Sequence, residues 1–384
     1  MITADWLHSP DVQRLFDLFD QAGFEIYAVG GCVRNTLLNR PIVDVDLSTN
    51  ARPAQVMELL ETVGLRAVPT GFDHGTITAV VDGTPYEITT YRKDVETDGR
   101  RAVVHFADTI GDDSLRRDFT INAIYADAAG QLYDPQQGLQ DISPTQIRFI
   151  GDPDARIAED YLRILRFFRF FAQYGDPDAG LDADGLAACA SGADGLAHIS
   201  RERIGAEVLK TLAVDNPSMA MAAMAQAGVL HRILPGADPA ALPVLVHLEH
   251  GPPCPLRRLA VLGGEQVADH LRLSKQQGRD LASICTAATM GTSPHELAYR
   301  HGTKIAWDAV LVRCALLGIP VPDTTAHDID YAAQAVFPLK AKDLPQFSGA
   351  ALGRALKSAE RFWIDHQFKP TQIDLMHYLN ALSS

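Results

Sequence analysis

A chain of 384 residues is too long for one ordinary core and sets an expectation of roughly two to four domains. Its 34 basic and 48 acidic residues leave a net charge of −14, which excludes a general polyanion-binding surface, so any nucleic acid must be held by local patches. Five scattered cysteines without a Cys-x-x-Cys exclude a disulfide framework and a zinc site and suit a reduced cytoplasm, and the lack of an apolar run of spanning length implies a soluble protein.

Residues 11–22 place Val12, Leu15, Phe16, Leu18 and Phe19 at helical spacing and stop at Gly23. Phe24 to Val29 reads as a first strand. Gly30 and Gly31 then form a tight turn where backbone N–H groups can approach phosphate, and a short helix opening at Cys32 adds its positive end. Arg34 is expected to present a fixed charge to a triphosphate. Val43 to Leu47 reads as a second strand with Val43, Val45 and Leu47 facing the core. Asp44 and Asp46 share its other face, roughly 6.5 to 7 Å apart along the backbone, where two carboxylates can hold the paired Mg²⁺ ions that in-line displacement at phosphorus requires.

Pro53 opens a helix through Leu60, followed by β-rich runs at 66–69, 76–81 and 86–91, which completes an α+β head of roughly 140 residues. Glu87 in the last run is either a third carboxylate beside the pair or a strand acid partnered by Arg92. Residues 92–104 mix charges around Gly99 and read as a mobile loop. Arg116-Arg117-Asp118-Phe119-Thr120-Ile121-Asn122-Ala123 follows. Its arginine suits phosphate or ribose oxygens, and its aspartate suits a ribose hydroxyl or that arginine. A hairpin is expected at 124–134.

From Asp152 the period turns helical. Residues 156–171 read as one helix, with Asp160, Arg163 and Arg166 near one another and Glu159–Arg163 available as an i, i+4 ion pair. A carboxylate only accepts hydrogen bonds and a guanidinium only donates. Cytosine and adenine both set an amino donor beside a ring-nitrogen acceptor, so an Asp/Arg pair satisfies either. Guanine and uracil present the inverse and would leave buried mismatches of about 1 to 3 kcal/mol each. Further helices are expected at 201–212 (capped by Ser200), 219–230, 255–263, 276–291, 303–317 and 325–336, with an irregular stretch at 231–255. The histidines at 231, 247 and 250 lack a His-Asp pair, which argues against a metal-dependent phosphohydrolase site.

The stretch GGCVRNTLLNRPIVDVDLSTNARP, together with RRDFTINA and EDYLR, resembles the signature of the class II tRNA nucleotidyltransferases (CCA-adding enzymes) and bacterial poly(A) polymerases, within the polymerase-β-like nucleotidyltransferases. The resemblance implies a mixed-sheet catalytic head (1–140), a helical neck with the base-selecting motif (141–212), a helical body (213–270) and a tRNA-binding helical tail (271–384). It implies Asp44 and Asp46 as catalytic metal ligands for Mg²⁺. Gly30, Gly31, Arg34, Arg117, Asp118, Asp160, Arg163, Arg166 and Arg169 become nucleotide-binding residues, with Asp160 and Arg163 the protein template. The implied activity is CCA addition to tRNA from CTP and ATP; the alternatives are poly(A) addition and a non-catalytic RNA-binding protein on a vestigial fold. A flexible loop at 92–104 accompanies terminal A addition in that family. SRERIGAEVLKTL resembles its neck motif, and Lys340, Lys342, Arg354, Lys357 and Arg361 are candidates for tRNA backbone contacts.

Overall fold

The computed structural model describes residues 1–94 and 104–382, so the expected loop at 92–104 lies outside the described residues apart from its flanks. The chain separates into two compact units, Met1–Thr211 with Met219–Ile233, and Leu212–Ser218 with Leu234–Ser384. The expected head and neck share the first unit. The stretch expected as body is divided, its Met219–Ile233 segment belonging to the first unit and the rest, 213–218 and 234–270, to the second.

In the first unit, α1 (Pro10–Gln21) starts where its residues dictate: Pro10 needs no N–H there, and Ser9 Oγ accepts from the Val12 N–H at 3.4 Å. Val12, Leu15, Phe16 and Phe19 are buried. The strands are β1 (Ile26–Val29), β2 (Asp46–Thr49), β3 (Arg66–Gly71), β4 (Thr76–Val81), β5 (Thr84–Thr90), β6 (Arg92–Asp94), β7 (Val104–Phe106), β8 (Tyr125–Ala126) and β9 (Leu132–Tyr133). Among the described residues, seven of them form one mixed sheet in the order β3-β4-β5-β2-β1-β8-β9, with β6 and β7 paired separately. Only β2–β5 is parallel among its pairings. Helices α2 (Gly31–Leu37), α3 (Pro53–Thr62), α4 (Ile110–Leu115) and α5 (Leu139–Ile142) complete the head, and Leu15, Phe19, Leu47, Leu60, Ile77 and Ile88 are fully buried in one apolar cluster.

The strand expected over 43–47 is shorter than its pattern. Ladder pairing with β1 ends at Leu47, opposite Ala28, so Leu47 is buried while Val43 is 88% exposed and does not face the core. The helix expected over 156–171 is two, α6 (Pro153–Glu159) and α7 (Leu162–Tyr174). Asp160 between them is extended, φ −151° and ψ 102°, and its Oδ1 accepts the Leu162 N–H at 3.1 Å, which starts a new helix as a local capping carboxylate does. Beneath α7, Phe119 is bridged to Phe149, and its ring lies 4.9 Å from that of Phe170 and 5.1 Å from that of Phe149. α8 (Ala183–Ser191), α9 (Arg201–Leu212), α10 (Ser218–Gln226) and α11 (Val229–Ile233) follow. The helix expected over 219–230 ends early because Gly228 turns at φ 73°.

The second unit is helical: α12 (Leu242–Leu248), α13 (Pro255–Leu262), α14 (Val267–His270), α15 (Lys275–Thr289), α16 (Pro294–Leu317), α17 (Thr325–Ala333), α18 (Gly349–Asp365) and α19 (Gln372–Leu382). The stretch at 231–255 is therefore not wholly irregular, since α12 lies within it. α16 begins before the expected 303, under the Ser293 cap, and bends at Gly302, whose φ of 81° only glycine adopts readily. Arg257 and Arg258 are buried, but both bond to Glu249, and Arg257 also reaches Asp308 at 2.8 Å, so their charges are matched. No helix among the described residues is long and apolar enough to cross a membrane, and all five cysteines are free thiols.

Candidate active site

The glycine turn is built by conformation. Gly30, at φ 76° and ψ −123°, occupies a region closed to most L-residues and caps α2, so the chain turns from β1 directly into a helix beside the edge of β2. Asp46 opens β2 and is half-buried; Asp44, two residues earlier, is exposed. Asp46 and Glu87 are register partners across the parallel β2–β5 pair. Burial pushes the Asp46 carboxyl above the usual carboxylate range, and Glu87 and Asp44 push it further while Arg117 and Arg34 oppose them. Arg92, the alternative partner considered for Glu87, donates to the His74 carbonyl at 2.5 Å.

Among the described residues no group of three or more His, Cys, Asp or Glu side chains stands ready to hold a metal. Asp44 and Asp46 remain as a two-carboxylate set of hard oxygen donors. That set fits a hard divalent cation, which can bind through one or two carboxylates and keep waters or substrate phosphates for the rest. The burial that, with Glu87 and Asp44, disfavours the ionised Asp46 carboxylate is what such an ion would offset.

Arg34 does not project freely from the turn. It is 7% exposed, donates from Nη1 to Asn122 Oδ1 at 2.5 Å and from Nη2 to the Tyr174 hydroxyl at 2.7 Å, and lies 4.2 Å from the Tyr174 ring centre. Its hydrogen-bond partners, with Asn35, are all neutral, and burial lowers its pKa. Arg117 also faces the turn: its Nη1 would lie 3.7 Å from a Cβ on Gly30.

Three arginines of the neck grip three consecutive residues of the RRD segment. Arg163 Nη2 donates to the Arg116 carbonyl at 3.0 Å, Arg156 Nη2 to the Arg117 carbonyl at 2.6 Å, and Arg166 forks onto the Asp118 carboxylate at 2.8 and 2.5 Å. Although burial alone would raise its pKa, Arg166 and Asn122 hold Asp118 below the usual range. Arg169 bonds Glu207 at 2.6 Å and stacks over Phe170. Asp160 and Arg163 are not joined one turn apart on a helix. Asp160 pairs with Arg203 at 2.8 Å, and Arg163 forms the Glu159 ion pair at 2.5 Å.

Sequence reasoning missed Asp113. It is fully buried, ion-paired to both Arg116 and Arg117, and bonded to the Tyr125 hydroxyl. An acid three residues before an Arg-Arg pair was the available signal. The five candidate tail cations, Lys340, Lys342, Arg354, Lys357 and Arg361, are all exposed, although Arg361 is tied to Glu296 and Asp365. In the second unit a cavity of about 760 Å³ is lined by Leu248, Pro253, Trp307 and Leu311. Its charged residues Arg257, Asp308 and Lys304 bond one another, so its wall is chiefly apolar.

Comparisons with known proteins agree with this fold. Residues 26–148 match the Poly A polymerase head domain, and residues 181–241 the probable RNA and SrmB-binding site of polymerase A. A CCA-adding enzyme of Geobacillus thermodenitrificans is 35% identical over 343 residues, covering 83% of this chain and 81% of that protein. The mitochondrial CCA tRNA nucleotidyltransferase 1 of Mus musculus is 41% identical over 219 residues, 55% of this chain, which spans only about half (50%) of the mouse protein. The crystal structure of a Bacillus stearothermophilus CCA-adding enzyme in complex with CTP superposes with a TM-score of 0.78 at 27% identity, covering 98% of both chains.

Proposed function

This chain belongs to the family of CCA-adding enzymes, and from that membership we propose that it builds or repairs the CCA 3′ end of tRNA from CTP and ATP, without a nucleic-acid template, in a reduced cytoplasm. The observation that carries the reading is the convergence of Asp46, the Gly30 turn and the arginine-gripped RRD segment within one compact unit.

In this reading the tRNA 3′ hydroxyl attacks the α-phosphorus and pyrophosphate leaves. Asp44 and Asp46 hold a divalent metal, Mg²⁺, with Glu87 beside them. When bound, a pair of such ions would offset triphosphate charge and supply stabilisation to both the attacking and the leaving oxygens. Gly30 and Gly31 admit the phosphates to backbone N–H groups, Arg117 and Arg34 supply positive charge, and Asp118 orients Arg166 at the nucleotide. Asp160 and Arg163 select the base, Asp160 as acceptor and Arg163 as donor, and leave Arg203 and Glu159 to do so. Arg169 extends the cationic wall of the nucleotide site, and Lys340, Lys342, Arg354 and Lys357 contact the tRNA backbone.

The test is tRNA ending before CCA, offered each nucleoside triphosphate separately and then CTP with ATP, in Mg²⁺. Two C additions followed by one A, with UTP and GTP refused, support the reading. Open-ended A addition would instead identify a poly(A) polymerase, and no turnover a non-catalytic RNA-binding protein.

A further inference from the structure

We propose that Asp113 is a positioning residue for nucleotide binding, holding one edge of the Arg117 guanidinium so that the other faces the Gly30 turn; this rests on the nucleotidyltransferase reading above. Asp113 closes the first turn of α4 and is 0% exposed. Its Oδ1 accepts from Arg116 Nε at 2.7 Å and from the Arg92 backbone N–H at 3.4 Å. Its Oδ2 accepts from Arg117 Nη2 at 3.0 Å and Nε at 3.3 Å, from the Tyr125 hydroxyl at 2.8 Å and from Ser48 Oγ at 3.3 Å.

Those donors come from four separate elements, and Ser48 lies two residues beyond Asp46 on the same strand. One carboxylate thereby ties Arg117 to the strand that carries the metal-binding acid. A guanidinium is a rigid planar fork, so fixing Nε and Nη2 also fixes the direction of Nη1. That direction is the glycine turn, since Nη1 would lie 3.7 Å from a Cβ on Gly30. Tyr125 reinforces the clamp, because its hydroxyl also accepts from Arg117 Nε at 3.1 Å while donating to Asp113.

A carboxylate that only balanced buried charge would affect the fold alone; one that aims Arg117 acts on the nucleotide, and only through that arginine. The full chain is assayed with tRNA lacking CCA, with Mg²⁺ present, as parent, Asp113→Asn, Arg117→Ala and the double variant, with melting curves alongside. Asp113→Asn is expected to raise KM for CTP about tenfold with kcat within about threefold, and to add less than about twofold once Arg117 is alanine. Should Asp113→Asn fail to fold, Tyr125→Phe removes one strut and is expected to raise KM about threefold, again only while Arg117 is present. Additive effects in the cycle, or an unchanged KM in the folded variant, overturn the inference. A parent that incorporates neither CTP nor ATP would instead overturn the proposed function. In that event the same cycle, read as CTP affinity by calorimetry, still decides the role of Asp113.

Discussion

Arg166 and Asp118 meet in a two-pronged ion pair, Nε and Nη2 both reaching the same carboxylate oxygen, and join α7 to the RRD segment. The other Asp118 oxygen accepts from Asn122 Nδ2 at 2.8 Å, and Asn122 in turn accepts from Arg34. Hydrogen bonds thus run unbroken from the neck helix to the helix after the glycine turn. Asp118→Ala should destabilise the first unit by about 2 to 3 kcal/mol, below the figure for a fully buried pair because the Arg166 side chain keeps 32% of its exposure. It should also reduce nucleotide incorporation more than about a hundredfold. A melting temperature equal to the parent's would show that the pair holds nothing together.

Asp46→Asn keeps the side-chain volume and the β2–β5 register but removes a ligand charge where phosphoryl chemistry needs it. Incorporation should disappear while the circular dichroism spectrum is preserved. Turnover within about tenfold of the parent, equivalent to only about 1.4 kcal/mol, would refute the metal assignment.

The two glycines of the turn should separate conformation from access. Gly30→Ala forces an alanine to φ 76°, at about 1 to 3 kcal/mol of strain, although no atom would clash with its Cβ. Gly31→Ala places a Cβ 3.8 Å from Arg34 Nη2 in ordinary contact, so stability should stay near that of the parent while KM for both nucleotides rises. Equal melting temperatures for the two variants would contradict this division.

Asp113 should leave a mark on acid denaturation. Burial alone would raise its pKa, but Arg117, Arg116 and the Tyr125 hydroxyl hold it at about 2, below its ordinary 3.8. A depressed pKa favours the folded state above the unfolded value and loses that contribution as pH falls through the folded one. Stability should therefore decline by about 2 kcal/mol between pH of about 4 and 2 from this group, and Asp113→Asn should flatten that part of the profile. Urea melts at several pH values measure it, and an unchanged slope in the variant would rule the assignment out.

Base selection is tested at Asp160, which is only partly buried and whose pairing with Arg203 is a surface one worth about 0 to 1 kcal/mol. Asp160→Ala should cost about 1 kcal/mol through the lost capping bond to the Leu162 N–H, and should cut CTP and ATP use more than about a hundredfold, since the acceptor facing the amino group is lost. Incorporation assays with all four triphosphates decide: an intact C and A preference would leave Asp160 as a helix-starting cap and nothing more.

The head was readable because its signals are local. A glycine pair and a proline-led helix each dictate nearby backbone, and β1, β3, β4 and β5 formed close to their expected spans. What escaped depended on distant partners. The Asp160 carboxylate could bond the Leu162 N–H as readily as a base, and that choice broke a helix whose periodicity was continuous. Val43 fits a strand pattern but pairs with no strand among the described residues. Asp113 looked like one acid among many, because the Ser48 and Tyr125 that complete its shell lie 65 and 12 residues away.

The setting of Arg34 carries a thermodynamic consequence. A guanidinium buried among asparagine and tyrosine side chains, with burial already lowering its pKa, is short of negative charge in the unliganded protein. Any polyphosphate seated at the turn would relieve that deficit whatever base it carries. Pyrophosphate alone should accordingly raise the melting temperature and slow the enzyme as its own by-product, so sustained tail repair would depend on a hydrolase that keeps pyrophosphate scarce.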